Sequence, residues 1–189
     1  MHKIVQAHLE NFSKSFGLES YGEDVQFEMF SNKSILTPHI CTDFELEDVT
    51  TSNGDNGTDG LAIIIDEELC MSPEDASSIF SKPKRNHDVE LFFIQSKTSE
   101  SFDLGDFLKF KESVLKLINI EEPYDSNDEL QRNAREIFDI VIKNVPKIRN
   151  GKPKIYAKYV TTGMYKKPKE LEAAKRRFKS EIDEYGFFF

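Results

Sequence analysis

Two runs of sequence decide the fold: Gly57-Thr58-Asp59-Gly60-Leu61-Ala62-Ile63-Ile64-Ile65 and Val89-Glu90-Leu91-Phe92-Phe93-Ile94-Gln95-Ser96-Lys97. Each run is rich in β-branched or aromatic residues and is bounded by turn or polar residues, which predicts two β-strands. Gln95 and Lys97 are two positions apart, so their side chains point to the same face of the second strand. If the strands are neighbours, Asp59 meets both residues at one edge of a sheet. An acid, an amide oxygen and a lysine placed together indicate a magnesium-dependent phosphodiesterase site.

The spacing of these residues resembles a nuclease motif. An Asp that is followed after a long gap by Gln-x-Lys is similar to the PD-(D/E)XK pattern, with Gln in the (D/E) position. The local sequence more closely resembles the abortive infection phage resistance (AIPR) family, in which a G-x-D-G-I/L-A turn is followed by a hydrophobic strand ending in Q-x-K. Two flanking pieces extend the resemblance over residues 22–165: Phe27-Glu28-Met29-Phe30-Ser31-Asn32 and Tyr159-Val160-Thr161-Thr162-Gly163.

The resemblance implies an α/β, restriction-endonuclease-like fold, in which helices flank a mixed central sheet. It also implies a cytoplasmic, bacterial phage-defence protein with a Mg²⁺- or Mn²⁺-dependent endonuclease activity on nucleic acid, with DNA favoured. Asp59, Gln95 and Glu28 would then be the metal ligands, and Lys97 would complete the catalytic set. Glu28 is included because it matches the family's helix glutamate in Phe-Glu-x-Phe. Gln95 replaces the acid that is commoner in the wider superfamily, which predicts weaker metal binding.

Each of these residues also has an ordinary structural explanation. Asp59 lies between Gly57 and Gly60 and suits an Asx turn, although the same glycines would let a metal or phosphate come close. Gln95 suits the polar end of a strand. Lys97 suits a surface lysine whose aliphatic stem covers apolar surface. The ordered set of motifs, rather than any single residue, favours the catalytic interpretation.

Other candidates are weaker. Glu28 equally suits a solvent-facing position on an amphipathic helix, and Asp55 is a candidate for a water-mediated metal contact. No serine–histidine pairing points to a hydrolase triad, and no Walker A or G-x-G-x-x-G loop points to nucleotide hydrolysis. The histidines have no metal-ligand spacing and are interpreted as structural or surface residues: His2, His8, His39 and His87.

Length and composition predict one folded domain, with room for a small appendage. A chain of 189 residues can bury a core without covalent staples, and 38% hydrophobic with 12% aromatic residues is typical of a globular protein. Cys41 and Cys70 form no C-x-x-C pair, which argues against a zinc site and fits a reducing cytoplasm. We expect no signal peptide and no membrane span, because the apolar runs are short.

The charge is unevenly distributed. A net charge of −9 argues against indiscriminate binding to nucleic acid. Residues 1–142 hold 12 Lys and Arg and 29 Asp and Glu (−17), whereas residues 143–189 hold 13 and 5 (+8). This asymmetry predicts contact between the C-terminal segment and a polyanion, through Lys166, Lys167, Arg176 and Arg177. The structural alternative is a solvated basic helix and loop.

The periodicity of the remaining sequence predicts a mixed α/β order. Helices are expected over 3–16 and about 23–36, from the N-cap Ser72 to about Phe80, from the N-cap Asp103 through Ile118, from Asn127 or Asp128 until Pro146 stops the helix, and from Pro168 to about Tyr185. Strands are expected over 44–49, 60–66, 89–97 and 154–161. The chain divides into an N-terminal helix (1–21), a nuclease-like domain (22–165) and a basic C-terminal helix (166–189). AIPR-type proteins are longer, so the resemblance predicts a fragment or truncated relative, with which the three phenylalanines at 187–189 agree.

Two other functions stay open. One is a catalytically inactive nuclease-fold module that binds nucleic acid or a partner protein, and Gln95 is the residue that distinguishes it from an enzyme. The other is an interaction domain whose basic C-terminal segment binds an acidic partner. A homo-oligomer is compatible with each of these functions.

Overall fold

A four-stranded mixed sheet lies at the centre of the computed structural model, which describes residues 1–52 and 57–186. Its strands are β1 (Gly60–Ile65), β2 (Glu68–Leu69), β3 (Val89–Lys97) and β4 (Lys154–Thr161), in the order β2-β1-β3-β4. β1 is antiparallel to both of its neighbours, and β4 is parallel to β3. The expected α/β class and the three long strands are confirmed.

The register brings the predicted site residues to one end of the sheet. Gly60 pairs with Ile94 across β1 and β3, so Asp59 lies beside Gln95. Gln95 in turn pairs with Tyr159 on β4. The prediction that the two defining strands are adjacent is therefore confirmed.

The described residues form six α-helices around the sheet, and three of these helices begin at residues that the sequence marks as N-caps. Ser72, Asp103 and Asp128 each accept a hydrogen bond from a backbone amide three residues later, as N-cap residues do. Within the described residues, none of the helices has the length and apolar character needed to cross a membrane. The helices are α1 (Lys3–Phe16), α2 (Glu23–Leu36), α3 (Pro73–Ser81), α4 (Leu104–Ile118), α5 (Glu129–Lys143) and α6 (Lys169–Glu184).

The predicted strand over 44–49 is wrong. The chain forms a 3-10 turn over Glu47–Val49, and only Thr50 makes an isolated bridge, to Gly60. The alternating pattern arose because Phe44 and Leu46 are both buried, but they pack into different hydrophobic clusters beside α2. Asp48 accepts a hydrogen bond from the backbone amide of Glu45 (3.2 Å), which stabilises a turn in this segment.

The two faces of the sheet are covered by different helices. Alternate side chains of β1 and β3, including Leu61 and Phe93, pack on the larger core with α3, α4, α5 and α6. The intervening side chains, including Ile64 and Phe92, face α2 and the segment that follows it. Phe178 of α6 is buried in the larger core. The site end of the sheet therefore lies between α2 on one face and α4 on the other.

Candidate functional site

Asp59 and Gln95 are in direct contact at the end of the sheet. Gln95 Nε2 donates a hydrogen bond to Asp59 Oδ2, and the backbone amide of Ser96 donates to the same oxygen (2.7 Å). Both side chains are buried, with 2% of Asp59 and 1% of Gln95 exposed. Both bonds fall on Oδ2, and Oδ1 accepts none from the described residues. The expected convergence of these two residues is confirmed, but the amide nitrogen of Gln95, rather than its oxygen, faces the carboxylate.

The backbone fixes Asp59 from both sides. Its amide donates to the carbonyl of Ile94 (2.8 Å) on β3. Its carbonyl accepts from the backbone amide of Thr51 (3.1 Å) and from Asn32 Nδ2 (3.2 Å). Asn32 belongs to α2, so this contact also ties the helix to the start of β1. The carboxylate is thereby held in one place before any ligand arrives, which is what a preorganised site requires.

The two glycines flanking Asp59, Gly57 and Gly60, allow close packing of helices. A Cβ atom at Gly60 would collide with the Asn32 amide, so only glycine lets α2 come this close. Gly57 has a φ of 71°, and a Cβ there would lie 3.0 Å from the backbone oxygen of Lys109 on α4. Among the described residues, these glycines let α2 and α4 approach the start of β1.

Burial sets the charge state of Asp59. It raises the pKa of the carboxyl to about 6. The Ser96 amide, the Lys97 ammonium and the Gln95 amide all lower this pKa, but they do not offset burial, and Asp106 on α4 raises it further. A buried carboxylate that is ionised at neutral pH without a neutralising ion pair is unusual, and such groups cluster at functional sites.

Glu28 and Lys97 belong to the same electrostatic cluster. Burial raises the pKa of Glu28 to about 7, and the charges of Asp59 and Asp24 raise it further, whereas Lys97 lowers it. Both Glu28 and Lys97 are half-buried. Lys97 forms no ion pair within the described residues. The four residues that the sequence singled out therefore influence one another's charge, with two acids competing for one free ammonium.

Among the described residues, two buried oxygens of residues that contact Asp59 have no hydrogen-bond partner: Asn32 Oδ1 and Ser96 Oγ. Asn32 contacts the backbone carbonyl of Asp59 through Nδ2, and Ser96 contacts its carboxylate through the backbone amide. Carboxylate, amide and hydroxyl oxygens are the hard ligands that Mg²⁺ prefers, and Mg²⁺ commonly keeps several waters besides one or two carboxylates. The donor set fits Mg²⁺ in this respect, although no three His, Cys, Asp or Glu side chains of the described residues form a metal-binding group.

Sequence reasoning missed two residues that shape the site, Asn32 and Asp106. Asn32 lies four positions after Glu28, so the two share a face of α2, and this spacing was a usable signal. Ser96 contributes mainly through its backbone amide, which the sequence cannot single out. Asp106 acts on Asp59 from α4, and the sequence gives no sign of where that helix crosses the sheet.

The predicted nucleic-acid contacts lie on and before α6. Lys166, Lys167, Arg176 and Arg177 are all exposed. None of the four forms an ion pair within the residues that the structure describes. A hydrogen bond from Tyr165 is the main cause of the lowered pKa of Glu172, and the charges of Arg176 and Lys167 lower that pKa further. Asp55, the weaker metal candidate, lies outside the described residues.

Comparison of the chain with models of known protein families, with curated proteins and with solved structures gives no match.

Proposed function

We propose that this chain is a divalent-metal-dependent nuclease domain that hydrolyses phosphodiester bonds, with a restriction-endonuclease-like fold. The observation that carries the proposal is the contact between Asp59 and Gln95 beside the unpaired Lys97, at the end of two adjacent strands. The sequence of this cluster resembles the PD-(D/E)XK motif and, more closely, AIPR-type phage-defence proteins. Assignment to phage defence rests on that resemblance alone.

Asp59 and Glu28 are the residues that would hold Mg²⁺ or Mn²⁺, with Asn32 and Ser96 as neutral oxygen donors nearby. The raised pKa values of the two acids support this role, because a cation between them would offset both the cost of burying their charges and their mutual repulsion. When bound, such an ion neutralises phosphate charge and increases the acidity of a coordinated water.

The chain's own side chains would perform the remaining chemistry. Lys97 carries a positive charge without an ion-pair partner, and it would stabilise the negative charge that develops on the phosphate oxygens. Gln95 holds the Asp59 carboxylate in position through its amide hydrogen bond.

A second candidate is a nuclease-fold module that binds nucleic acid or a protein without cleaving it. The observation that favours it is the orientation of Gln95, whose nitrogen already occupies Asp59 Oδ2. A site of this kind keeps its fold and its basic surface while holding metal weakly or not at all. Binding without cleavage would then be the protein's activity.

A cleavage assay separates the two candidates. Plasmid DNA, single-stranded DNA and RNA are incubated with the protein in Mg²⁺, in Mn²⁺ and in EDTA. The nuclease proposal predicts cleavage of at least one substrate that EDTA abolishes, and its absence with every substrate would favour the second candidate.

The basic segment is tested by binding. Neutralising Lys166, Lys167, Arg176 and Arg177 together should weaken affinity for nucleic acid and flatten its dependence on salt. A matched variant that neutralises Lys3, Lys14, Lys82 and Arg85 serves as the control for net charge. Unchanged affinity at low salt in the first variant would show that this surface is only solvated.

A further inference from the structure

An open cleft of about 520 Å³ lies beside β4, between the start of α6 and the turn that precedes α4. Its lining is mostly apolar and aromatic. The residues that matter below are Phe102, Lys158, Tyr159, Tyr165 and Lys175. Phe102, Tyr159 and Tyr165 are half-buried, so part of each side chain is open to solvent.

The rings of the cleft form a connected aromatic surface. The centroid of Phe102 lies 4.8 Å from that of Tyr165 and 6.0 Å from that of Tyr159. Tyr165 Oη donates to Glu172 Oε1 (2.5 Å), which fixes the ring. Half-buried aromatic rings with one free face are the groups on which unpaired nucleobases stack.

The rim of the cleft is positively charged. Lys158 and Lys175 line it, are exposed, and form no ion pair within the described part of the chain. Residues 158–177 hold seven Lys and Arg against two Glu. An apolar pocket for a partner protein needs no such excess, whereas a phosphate backbone does.

The edge of the sheet adds polar groups to the cleft. β4 has β3 on one side and no strand on the other among the described residues. Backbone N–H and C=O groups along that outer edge are therefore free to bond. A nucleobase edge carries both donors and acceptors and can use such a row, provided that its own pairing partner is absent.

Tyr159 joins the cleft to the candidate site. It pairs with Gln95 in the register of β3 and β4. Burial, with the negative charges of Asp106, Asp103 and Asp59, raises the pKa of Tyr159 to about 12. The cleft therefore lies at the same end of the sheet as Asp59.

We infer that this cleft holds an unpaired nucleobase, stacked on Phe102 and Tyr165 with its phosphates on Lys158 and Lys175, and that the substrate class is single-stranded nucleic acid. The inference rests on the proposed function for its catalytic meaning. Its binding step needs no metal, however, and can be tested on its own.

The absence of Trp from the chain provides the test. Phe102→Trp places a single Trp in the cleft, and Phe16→Trp places one on the exposed face of α1 as a control. Both are titrated with a single-stranded oligonucleotide and with its duplex, in EDTA. We expect single strands to quench the emission of Phe102→Trp and to leave Phe16→Trp unchanged, and the duplex to bind at least about tenfold more weakly.

Two further variants keep the result independent of the probe. Phe102→Leu should weaken single-strand binding about tenfold, by removal of the stacking face. The double variant Lys158→Gln with Lys175→Gln should reduce the salt dependence of single-strand affinity. Because both lysines are on the surface, this test holds even if a change at Phe102 disturbs folding.

Three results would overturn the inference: no quenching by single strands, equal affinity for the duplex, or binding unaffected by all of these variants. A concentration-dependent change in Phe102→Trp emission without nucleic acid would instead assign the cleft to a second copy of the chain. If the parent binds single strands but shows no metal-dependent cleavage, the nuclease proposal is contradicted and this inference still holds.

Discussion

The two ends of the β1–β3–β4 sheet carry similar side chains in opposite electrostatic states. At the site end, defined by Asp59, Gln95 and Lys97, Asp59 has no ion-pair partner among the described residues. At the other end, called here the paired end, three acids contact basic side chains: Asp66 with Lys84 (2.9 Å) and His87 (2.6 Å), Asp88 with Arg149 (2.8 Å), and Glu90 with His39 (2.9 Å) and Lys154 (3.3 Å).

The pKa values follow this difference. Burial raises the pKa of Asp66 as it does that of Asp59, but hydrogen bonds from Lys84 and His87 outweigh burial and hold the pKa below its ordinary value. At Asp59 burial prevails. The paired end is built for stability, whereas the site end keeps unsatisfied charge that only a ligand would relieve. Such a loss of stability is what functional sites commonly show.

The largest expected effect is at Asp59. Asp59→Asn keeps the shape of the side chain but removes its charge, so we expect metal-dependent cleavage to fall by at least about 100-fold. Asp66→Asn makes the same chemical change at the paired end and should leave the rate unchanged in assays below its melting temperature. Equal cleavage by Asp59→Asn and the parent would show that the site end is not catalytic.

Lys97 should have the next largest effect. Lys97→Met removes the unpaired ammonium, so we expect cleavage to fall about 10- to 100-fold. Metal affinity should stay or increase slightly, because the lost cation no longer competes for Asp59 and Glu28. Lys154→Met is the matched change at the paired end. Cleavage rates measured across metal concentrations separate the two effects, and a change confined to metal affinity would remove Lys97 from the catalytic step.

Stability should respond in the opposite way. Asp66→Asn breaks the contacts with Lys84 and His87, so we expect the free energy of unfolding to fall by about 1–3 kcal/mol. Asp59→Asn removes an unfavourably buried charge and should not lower stability at neutral pH. Urea unfolding at pH 7 measures both variants. A larger loss for Asp59→Asn than for Asp66→Asn would reverse the assignment of the two ends.

The smallest effect is a difference in pH dependence. The pKa of Asp59 in the folded chain is about 6, above its ordinary 3.8, so ionisation opposes folding. Relative to the parent, Asp59→Asn should therefore gain about 1–3 kcal/mol between pH 4 and pH 7. The pKa of Asp66 is lowered, so its contribution is present above pH 4 and is lost in more acidic solution. Unfolding curves from pH 3 to pH 8 for both variants should show these opposite trends.

Of the two ends, only the site end was predicted from the sequence. Alternation along Val89–Lys97 placed Gln95 and Lys97 on one face, and the Gly-rich start of β1 placed Asp59 opposite them. These are local consequences of strand geometry. The N-caps of α3 and α4 are equally local, and both were predicted correctly, whereas Asp128 was one of two candidate starts for α5.

What the sequence did not reveal depends on long-range packing. Asn32 reaches Asp59 only because α2 crosses the sheet at Gly60, and Asp66 reaches His87 only because β1 and β3 pair in one register. The segment around Phe44 shows the converse error. There, alternating burial came from two separate contacts with the helical layer rather than from a strand.

Calorimetric titration of the parent, Asp59→Asn and Asp66→Asn with Mg²⁺ and Mn²⁺ at pH 6.5 tests the central claim directly. The account predicts that the metal binds to the parent and to Asp66→Asn. Because Asp59 and Glu28 are partly protonated at pH 6.5, binding should release protons. The measured binding enthalpy should then change with the ionisation heat of the buffer. The account predicts no binding to Asp59→Asn. Absence of binding to the parent, or equal binding to all three proteins, would contradict the claim that the site end is a cation site.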